Sequence, residues 1–380
     1  MSLDAAVSGP GDYRTRRYRP ADVTDVLALD RTVWNRERSR EWFRWKYERN
    51  PHVDEPPVFV AEGDGEIVGA RPFMGFRLRA GRDGETTLAL QAADTMVHPA
   101  HRRRGIFTAM NELALAHHGS GRRGVYFNFP NEQSRPCYEN LRWRTVRPKV
   151  TYYRIERPSA FLGGSAAERM LAAAADPSAS GYATLRRVVA EGTNPPGDGL
   201  EVERIAGAPV DRLAAVYERR VPDRLHVDRS EEFLSWRLAS PAWSRETYVA
   251  TRDGEDVAAL VGRTRELRDG TVLSQVADVL PLVGGPRWEE ALAALLGAFV
   301  DGAPESDVFA AVRGPIPHDL LTASGFLPDD QLPLSRLTDG TATLVTRPFD
   351  LDEPAPWTWN DRRLDRSESW LLSFLARDTA

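Results

Sequence analysis

Three arginines, a glycine and the start of a helical pattern follow an apolar run in "VHPAHRRRGIFTAMNEL", Val97 to Leu113. A strand that feeds a glycine-containing loop and then a helix gathers unpaired N–H groups and the positive end of the helix dipole at one point. That is anion-binding chemistry, and a diphosphate is its natural guest. Arg102, Arg103 and Arg104 add charge and donors, while Gly105 lets the backbone approach closely. The spacing is neither a Walker A loop nor a GxGxxG fingerprint. A lone RRRG is ordinarily a solvated basic turn; its place after an apolar run, with Asn131 and Tyr138 downstream, argues against that reading. Cys137, beside Tyr138, reads as a small buried hydrophobe, because no base stands at a recognisable spacing from it.

The elements that must hold this loop occur twice. "EWFRWKYERNP", "VFVAEGDGEIVGARPF" and "GRDGETTLALQAADTMVHP" match, in order, "EEFLSWRLASP", "TYVATRDGEDVAALVG" and "LRDGTVLSQVADVLPL". Asp64-Gly65-Glu66 answers Asp253-Gly254-Glu255, Asp83-Gly84 answers Asp269-Gly270, and Gln91 and Asp94 answer Gln275 and Asp278. Such an ordered series is an internal duplication, in units larger than solenoid repeats. Each copy opens with two helical segments, continues with three β-type runs joined by DG turns, and then gives helix, strand, helix and strand. The expected fold is mixed α/β, a largely antiparallel sheet flanked by helices, in two tandem domains. The expected divisions are a flexible tail over 1–12, a first domain over 13–157, a helical linker over 158–198, a second domain over 199–348 and a C-terminal docking segment over 349–380. In that last segment Trp357, Trp359 and Trp370 are too many large aromatics for a disordered tail.

The bulk numbers restrict the partners. The 380 residues carry a net charge of -5 and a sequence pI near 5.9, so positive charge is local and nucleic acid is not expected. No window reaches the roughly 18 uninterrupted apolar residues of a membrane span. The start, "MSLDAAVSGPGDY", lacks the basic and apolar regions of a signal peptide. One cysteine and no ligand-spaced histidines give no metal site. The expectation is a cytoplasmic protein without a metal, of unspecified oligomeric state.

"VHPAHRRRGIF" resembles the acetyl-CoA loop of the Gcn5-related N-acetyltransferase (GNAT) superfamily, Arg/Gln-x-x-Gly-x-Gly/Ala, through Arg102 and Gly105. Phe107 departs from the usual Gly/Ala. "FPNEQSRPCYENLRW" is similar to the family's second half, with Asn131 and Tyr138 in its pantetheine and thiol positions and Arg142 where the family has glycine. The resemblance implies acetyl-CoA as co-substrate, with the diphosphate on Arg102, Arg103, Arg104, Gly105, Ile106 and Phe107. It places the pantetheine arm against Asn131 and the backbone of Met96 and Val97, and makes Tyr138 the general acid. Arg122, Arg123 and Arg135 are candidates for the 3′-phosphate from charge alone. Asp94 lies where some members carry a general base, although its counterpart Asp278 points to a structural duty shared by both copies.

The second copy lacks these features together: Glu289 stands at the position of Gly105, Gly314 at Asn131 and Leu321 at Tyr138. Carboxylates suit a helix N-terminus but repel a diphosphate. The second domain is therefore expected to keep the fold without a cofactor site. The function expected is acetyl, or short acyl, transfer to a primary amine of a small-molecule acceptor. A non-catalytic CoA-binding module, or acylation of a protein amine or hydroxyl, are the alternatives.

Overall fold

The computed structural model describes residues 7–8, 13–119, 123–157, 199–332, 334–336 and 342–378. The linker expected over 158–198 and Arg122 lie outside them. The chain divides into two compact units, one of 1–79, 84–147 and 343–369, the other of 80–83, 148–342 and 370–380.

The first unit contains strands β1 (Val7–Ser8), β2 (Arg14–Arg17), β3 (Val58–Gly63), β4 (Glu66–Arg79), β5 (Thr87–Ala92), β6 (Met96–Val97), β7 (Gly124–Asn128) and β8 (Arg144–Pro148). Its helices are α1 (Val23–Trp34), α2 (Arg40–Phe43, continued by a wide turn over Arg44–Glu48), α3 (Ile106–Gly119) and α4 (Arg135–Asn140). β1 falls in the segment expected to be a tail, and pairs Val7 with Thr15 and Ser8 with Arg14. Asp64 and Gly65 turn β3 into β4 with φ of 54° and 83°, the double left-handed geometry of a tight hairpin. Asp253 and Gly254 repeat it in the second unit at 53° and 79°.

The second unit contains β9 (Thr151–Ile155), β10 (Leu200–Ala206), β11 (His226–Val227), β12 (Ser244–Arg252), β13 (Glu255–Glu266), β14 (Val272–Leu280), β15 (Val308–Val312) and β16 (Leu327–Pro328). Its helices are α5 (Val210–Arg219), α6 (Glu231–Leu238), α7 (Pro286–Gly302) and α8 (His318–Ala323). One more strand, β17 (Thr343–Pro348), follows.

Strand order shows where the units part from the boundaries expected at 157 and 348. The first sheet runs β1-β2-β3-β4-β5-β7-β17-β8, with β6 also on β4; the second runs β10-β12-β13-β14-β15-β9-β16. β17 lies antiparallel beside β7, Val345 opposite Asn128, and β9 lies antiparallel beside β15, Ala310 opposite Tyr153. Each copy thus receives the strand beside its parallel pair from the other copy's stretch of sequence. The C-terminal segment is split in the same way. Trp357 stacks on Arg144 at 4.0 Å in the first unit, whereas Trp370 is fully buried in the second, next to Leu371, whose N–H donates to Leu225 O at 2.8 Å.

The exchange is built into the cores. Val345 and Phe349 pack with Phe59, Phe73, Leu90, Tyr126, Tyr138 and Trp143. Phe349 lies 4.5 Å from Tyr126, centroid to centroid, and fills the space over Gly124, where a Cβ would come within 2.3 Å of its ring. Phe349→Ala is expected to cost about 3–5 kcal/mol, the usual loss for a buried aromatic. Hydrogen exchange should show lost protection in β7 and unchanged protection in β15; the reverse pattern would contradict the assignment of β17 to the first unit.

Candidate active site

The site begins with a break in a strand. β5 and β6 are one run interrupted at Ala93–Thr95, with Asp94 in the left-handed region at φ 42°. The register on β4 slips by one residue there, from Phe73 opposite Ala92 to Ala70 opposite Met96. Beyond the break, His98 N–H donates to Val68 O at 2.8 Å. His98 and Val68 are therefore a hydrogen-bonded pair, and alternation turns the N–H and C=O of Val97 away from β4. On that side β7 pairs in parallel with β5 from Leu88 opposite Gly124 to Gln91 opposite Phe127, and not with β6. Val97 thus presents its backbone to a gap where two strands separate; its carbonyl accepts from Arg102 Nε at 3.3 Å.

The loop after β6 leads into α3 through Arg103 at φ 63° and Gly105 at φ 77°. Arg102, Arg103, Arg104 and Gly105 are exposed. Ala109 N–H is bonded to Gly105 O at 3.0 Å, so the N–H groups of Ile106, Phe107 and Thr108 sit ahead of the helix's own ladder. Arg104 is tied to the Tyr13 hydroxyl at 2.7 Å, and His101 Nδ1 shares that hydroxyl at 2.9 Å. Ile106 is buried, whereas Phe107 is half-buried with its ring centroid 6.1 Å from that of Tyr138. A diphosphate fits this end of α3: N–H groups, exposed guanidinium groups and a backbone stripped of side chain at Gly105.

Tyr138, on α4, is 4% exposed. Its oxygen accepts from Asn128 Nδ2 at 2.7 Å and from Arg71 Nη1 at 3.0 Å. Arg71 also bonds to the Thr95 hydroxyl. The structure brings Tyr138 together with the loop helix, and engages the Asn131 side chain at the entry to α4. The Asn131 side-chain oxygen accepts from Ser134 N–H at 2.9 Å and from Ser134 Oγ at 2.8 Å, shaping the entry to α4. Asn128, three residues earlier at the end of β7, is the amide on Tyr138. Cys137 is exposed, where the sequence reading expected it buried, because α4 turns Tyr138 rather than its neighbour inward.

Asp94 is the hub of a second cluster. Its carboxylate meets Lys46 Nζ at 2.5 Å, Tyr47 Oη at 2.7 Å and Arg38 Nη1 at 2.7 Å, with Arg36 at 3.6 Å. Burial alone would raise its proton affinity, but Lys46 and Arg38 outweigh burial and hold the carboxyl well below the usual carboxylate range. Asp30 on α1 behaves oppositely: burial raises it, Arg38 stands off at 3.6 Å, and neither oxygen has a hydrogen-bond partner. The second unit repeats the hub in a simpler form. Asp278 is paired with Arg229 at 2.8 Å, both fully buried, and Arg229 also donates to Ser373 Oγ at 3.0 Å. Arg38 and Arg229 each precede a serine that caps the next helix: Ser39 accepts from Trp42 N–H, Ser230 from Phe233 N–H. That shared Arg-Ser dipeptide was the sequence signal for these cations.

The registers align the two units residue by residue. Arg71 stands opposite Thr95 in the antiparallel continuation of the Ala70–Met96 pairing, and Leu260 stands opposite Val279. Parallel pairing puts Ala89 beside Val125 and Leu273 beside Val308, which equates Asn128 with Ala311. Trp143 N–H closes on Tyr138 O at 3.2 Å and Phe326 N–H on Leu321 O at 2.9 Å, which equates Tyr138 with Leu321. Arg71, Thr95, Asn128 and Tyr138 are therefore Leu260, Val279, Ala311 and Leu321 in the second unit. There the helix start is also filled: a Cβ at Gly284 would meet Trp288 Cγ at 2.1 Å, Glu289 lies in the first turn, and Glu290 pairs with Arg252 at 2.7 Å. Among the described residues no group of three or more potential ligands could hold a metal, and no helix is long and apolar enough to cross a membrane.

Residues 14–146 match the family model described as an acetyltransferase (GNAT) domain. No curated protein matches the chain. Among solved structures, a GCN5-related N-acetyltransferase from Anabaena variabilis aligns with a TM-score of 0.59 at 8% identity, over 89% of this chain and 73% of that one. A conserved protein of unknown function from Enterococcus faecalis, described as a probable N-acyltransferase, aligns at 0.60 and 11% identity, over 89% and 73%. Eis1 from Mycobacterium abscessus aligns at 0.51 and 17%, over 90% and 74%. At these identities the structures establish a common fold across nine-tenths of the chain.

The Asp94 hub has a definite pH signature. A carboxyl depressed in the folded state contributes stability above its unfolded pKa and loses it as pH falls through the folded pKa. Asp94→Asn leaves buried cations uncompensated and is expected to cost about 3–5 kcal/mol at pH 7. Denaturant titrations of both proteins should show that difference undiminished at pH 5 and shrinking below pH about 4. A difference independent of pH would mean that Asp94 acts through its shape and not its charge.

Proposed function

Residues 14–146 match the GNAT acetyltransferase domain family, and we propose that the first unit moves an acetyl or other short acyl group from CoA to a primary amine of a small-molecule acceptor. Acyl-CoA supplies the thioester. Arg102 to Phe107 hold the diphosphate with loop N–H groups, the α3 dipole and exposed guanidinium groups. The outward N–H of Val97, in the gap between β6 and β7, takes the pantetheine arm. Asn131, engaged with Ser134, is left to shape the entry to α4.

The observation that carries the reading is the Tyr138 hydroxyl, buried beside Phe107 at the cofactor end of α3 and held by Asn128 and Arg71. Tyr138 gives its proton to the departing sulfur as general acid. Asp94, with its proton affinity lowered, is suited to holding Arg38 and Lys46 in place and is a poor general base. A phenol buried and held by Asn128 and Arg71 beside that loop favours catalysis over a CoA-binding module, because a binding module needs the loop but not the phenol.

Two measurements test this. Calorimetric titration of acetyl-CoA should give one site per chain, and Gly105→Glu, which copies the second unit's Glu289, should abolish it. A stoichiometry of two, or binding that survives the substitution, would remove the loop from the site. In thiol-release assays with acetyl-CoA and a panel of small primary amines (benzylamine, tyramine, spermidine), Tyr138→Phe should lower kcat by about 10²–10⁴-fold. Its affinity for acetyl-CoA should stay within about threefold, and an unchanged kcat would end the general-acid assignment.

A further inference from the structure

We infer that Arg71 is the positioning residue that makes Tyr138 a proton donor, an inference that rests on the reading of Tyr138 as general acid. A phenolic oxygen accepts two hydrogen bonds and donates one. Both acceptor positions on Tyr138 are filled, by Asn128 Nδ2 at 2.7 Å and Arg71 Nη1 at 3.0 Å. Neither of those atoms can accept in return. The Tyr138 hydrogen is therefore directed away from both, toward whatever stands in front of the ring.

The charge on Arg71 is the second part of the argument. Arg71 is fully buried, its Nε and Nη2 have no hydrogen-bond partner, and among the described residues no carboxylate is paired with it. Its surroundings are the Thr95 hydroxyl and the rings of Phe73, Tyr138 and Phe107, at 4.8, 5.3 and 5.5 Å. A buried cation without a counter-charge is destabilising. The fold has no need of it, since Leu260 occupies the same register position in the second unit and is equally buried. The cation is kept only in the unit that also has the phenol, where negative charge develops during the reaction. Tyr138 gives its proton to the departing sulfur, which keeps the electron pair of the broken C–S bond. The acceptor nitrogen forms the C–N bond and sheds the proton that later restores the phenol. In between, the phenolate oxygen is held by Arg71 and Asn128, and the guanidinium has its counter-charge.

The test uses the full chain with Arg71→Leu, which copies Leu260, Arg71→Lys, Tyr138→Phe and the Arg71→Leu/Tyr138→Phe pair. Acetyl-CoA is the donor, and the acceptor is the panel amine that wild type acetylates fastest. Arg71→Leu should lower kcat by about 10²-fold, with KM and calorimetric affinity for acetyl-CoA within about threefold and a Tm equal to or above wild type. Arg71→Lys should recover part of the lost kcat. The double variant should be no slower than Tyr138→Phe alone, as expected for residues that act as one unit. Wild-type kcat in Arg71→Leu, or single effects that multiply in the double variant, would overturn the inference while leaving Tyr138 as general acid. A lowered Tm with acetyl-CoA affinity lost in both Arg71 variants would make Arg71 structural and overturn it as well. If Tyr138→Phe matches wild type, the general-acid reading itself falls, and the inference with it.

Discussion

A carboxylate buried where a strand breaks governs the first unit. Asp94 takes a left-handed backbone conformation, and the register on β4 slips by one residue around it. The slip ends the pairing of β5 with β7 and turns the Val97 backbone into the gap beyond. A charge placed there must be compensated, and Arg38 and Lys46 do so from either end of α2 and its continuation. One carboxylate therefore opens the sheet and also fixes the helical segment packed nearby. Asp278 and Arg229 solve the same problem in the second unit, with a single cation in place of two.

The duplicated units separate what both copies of the fold keep from what only one of them carries. Hairpin turns, the Arg-Ser helix entry, the buried aspartate and the closing turn of the last helix occur in both. Arg71, Thr95, Asn128 and Tyr138 occur in one, and their counterparts are leucine, valine, alanine and leucine. In a close-packed interior, apolar side chains satisfy that position without desolvation, whereas a polar quartet must be bonded or bear the cost. The first unit keeps the costly solution beside Phe107, at the start of α3. The second has also filled the corresponding helix start, with Trp288 packed over Gly284 and the Glu289 carboxylate in the first turn of α7.

Reciprocal placement of β9 and β17 makes each core depend on sequence far away. Val345 and Phe349 complete a cluster that contains Tyr138 itself, some 200 residues earlier. Pairing of that kind closes a long loop, so β17 joins β7 at a larger entropic cost than the pairings within residues 14–128.

The sequence by itself determined the features whose physics is local. DG hairpins, the loop with a glycine before a helix, the phenol on the following helix and the duplication could all be read from neighbouring residues, because left-handed turns, helix ends and periodicity are short-range properties. Other features had no local mark. "TYYRI" and "TLVTRP" are apolar strands that would suit either sheet, and only packing decided that they go to each other's copy. Asn131 and Asn128 are equally plausible amides in a list of residues; strand geometry put one on a helix entry and the other on the phenol. Arg71 was one arginine in an otherwise apolar run, and its meaning depended on Thr95, Tyr138 and Phe107, from other elements, meeting its buried guanidinium. Hydrogen-bond satisfaction in an interior is a property of the assembled unit, so the partners of Tyr138 were decided by tertiary structure alone.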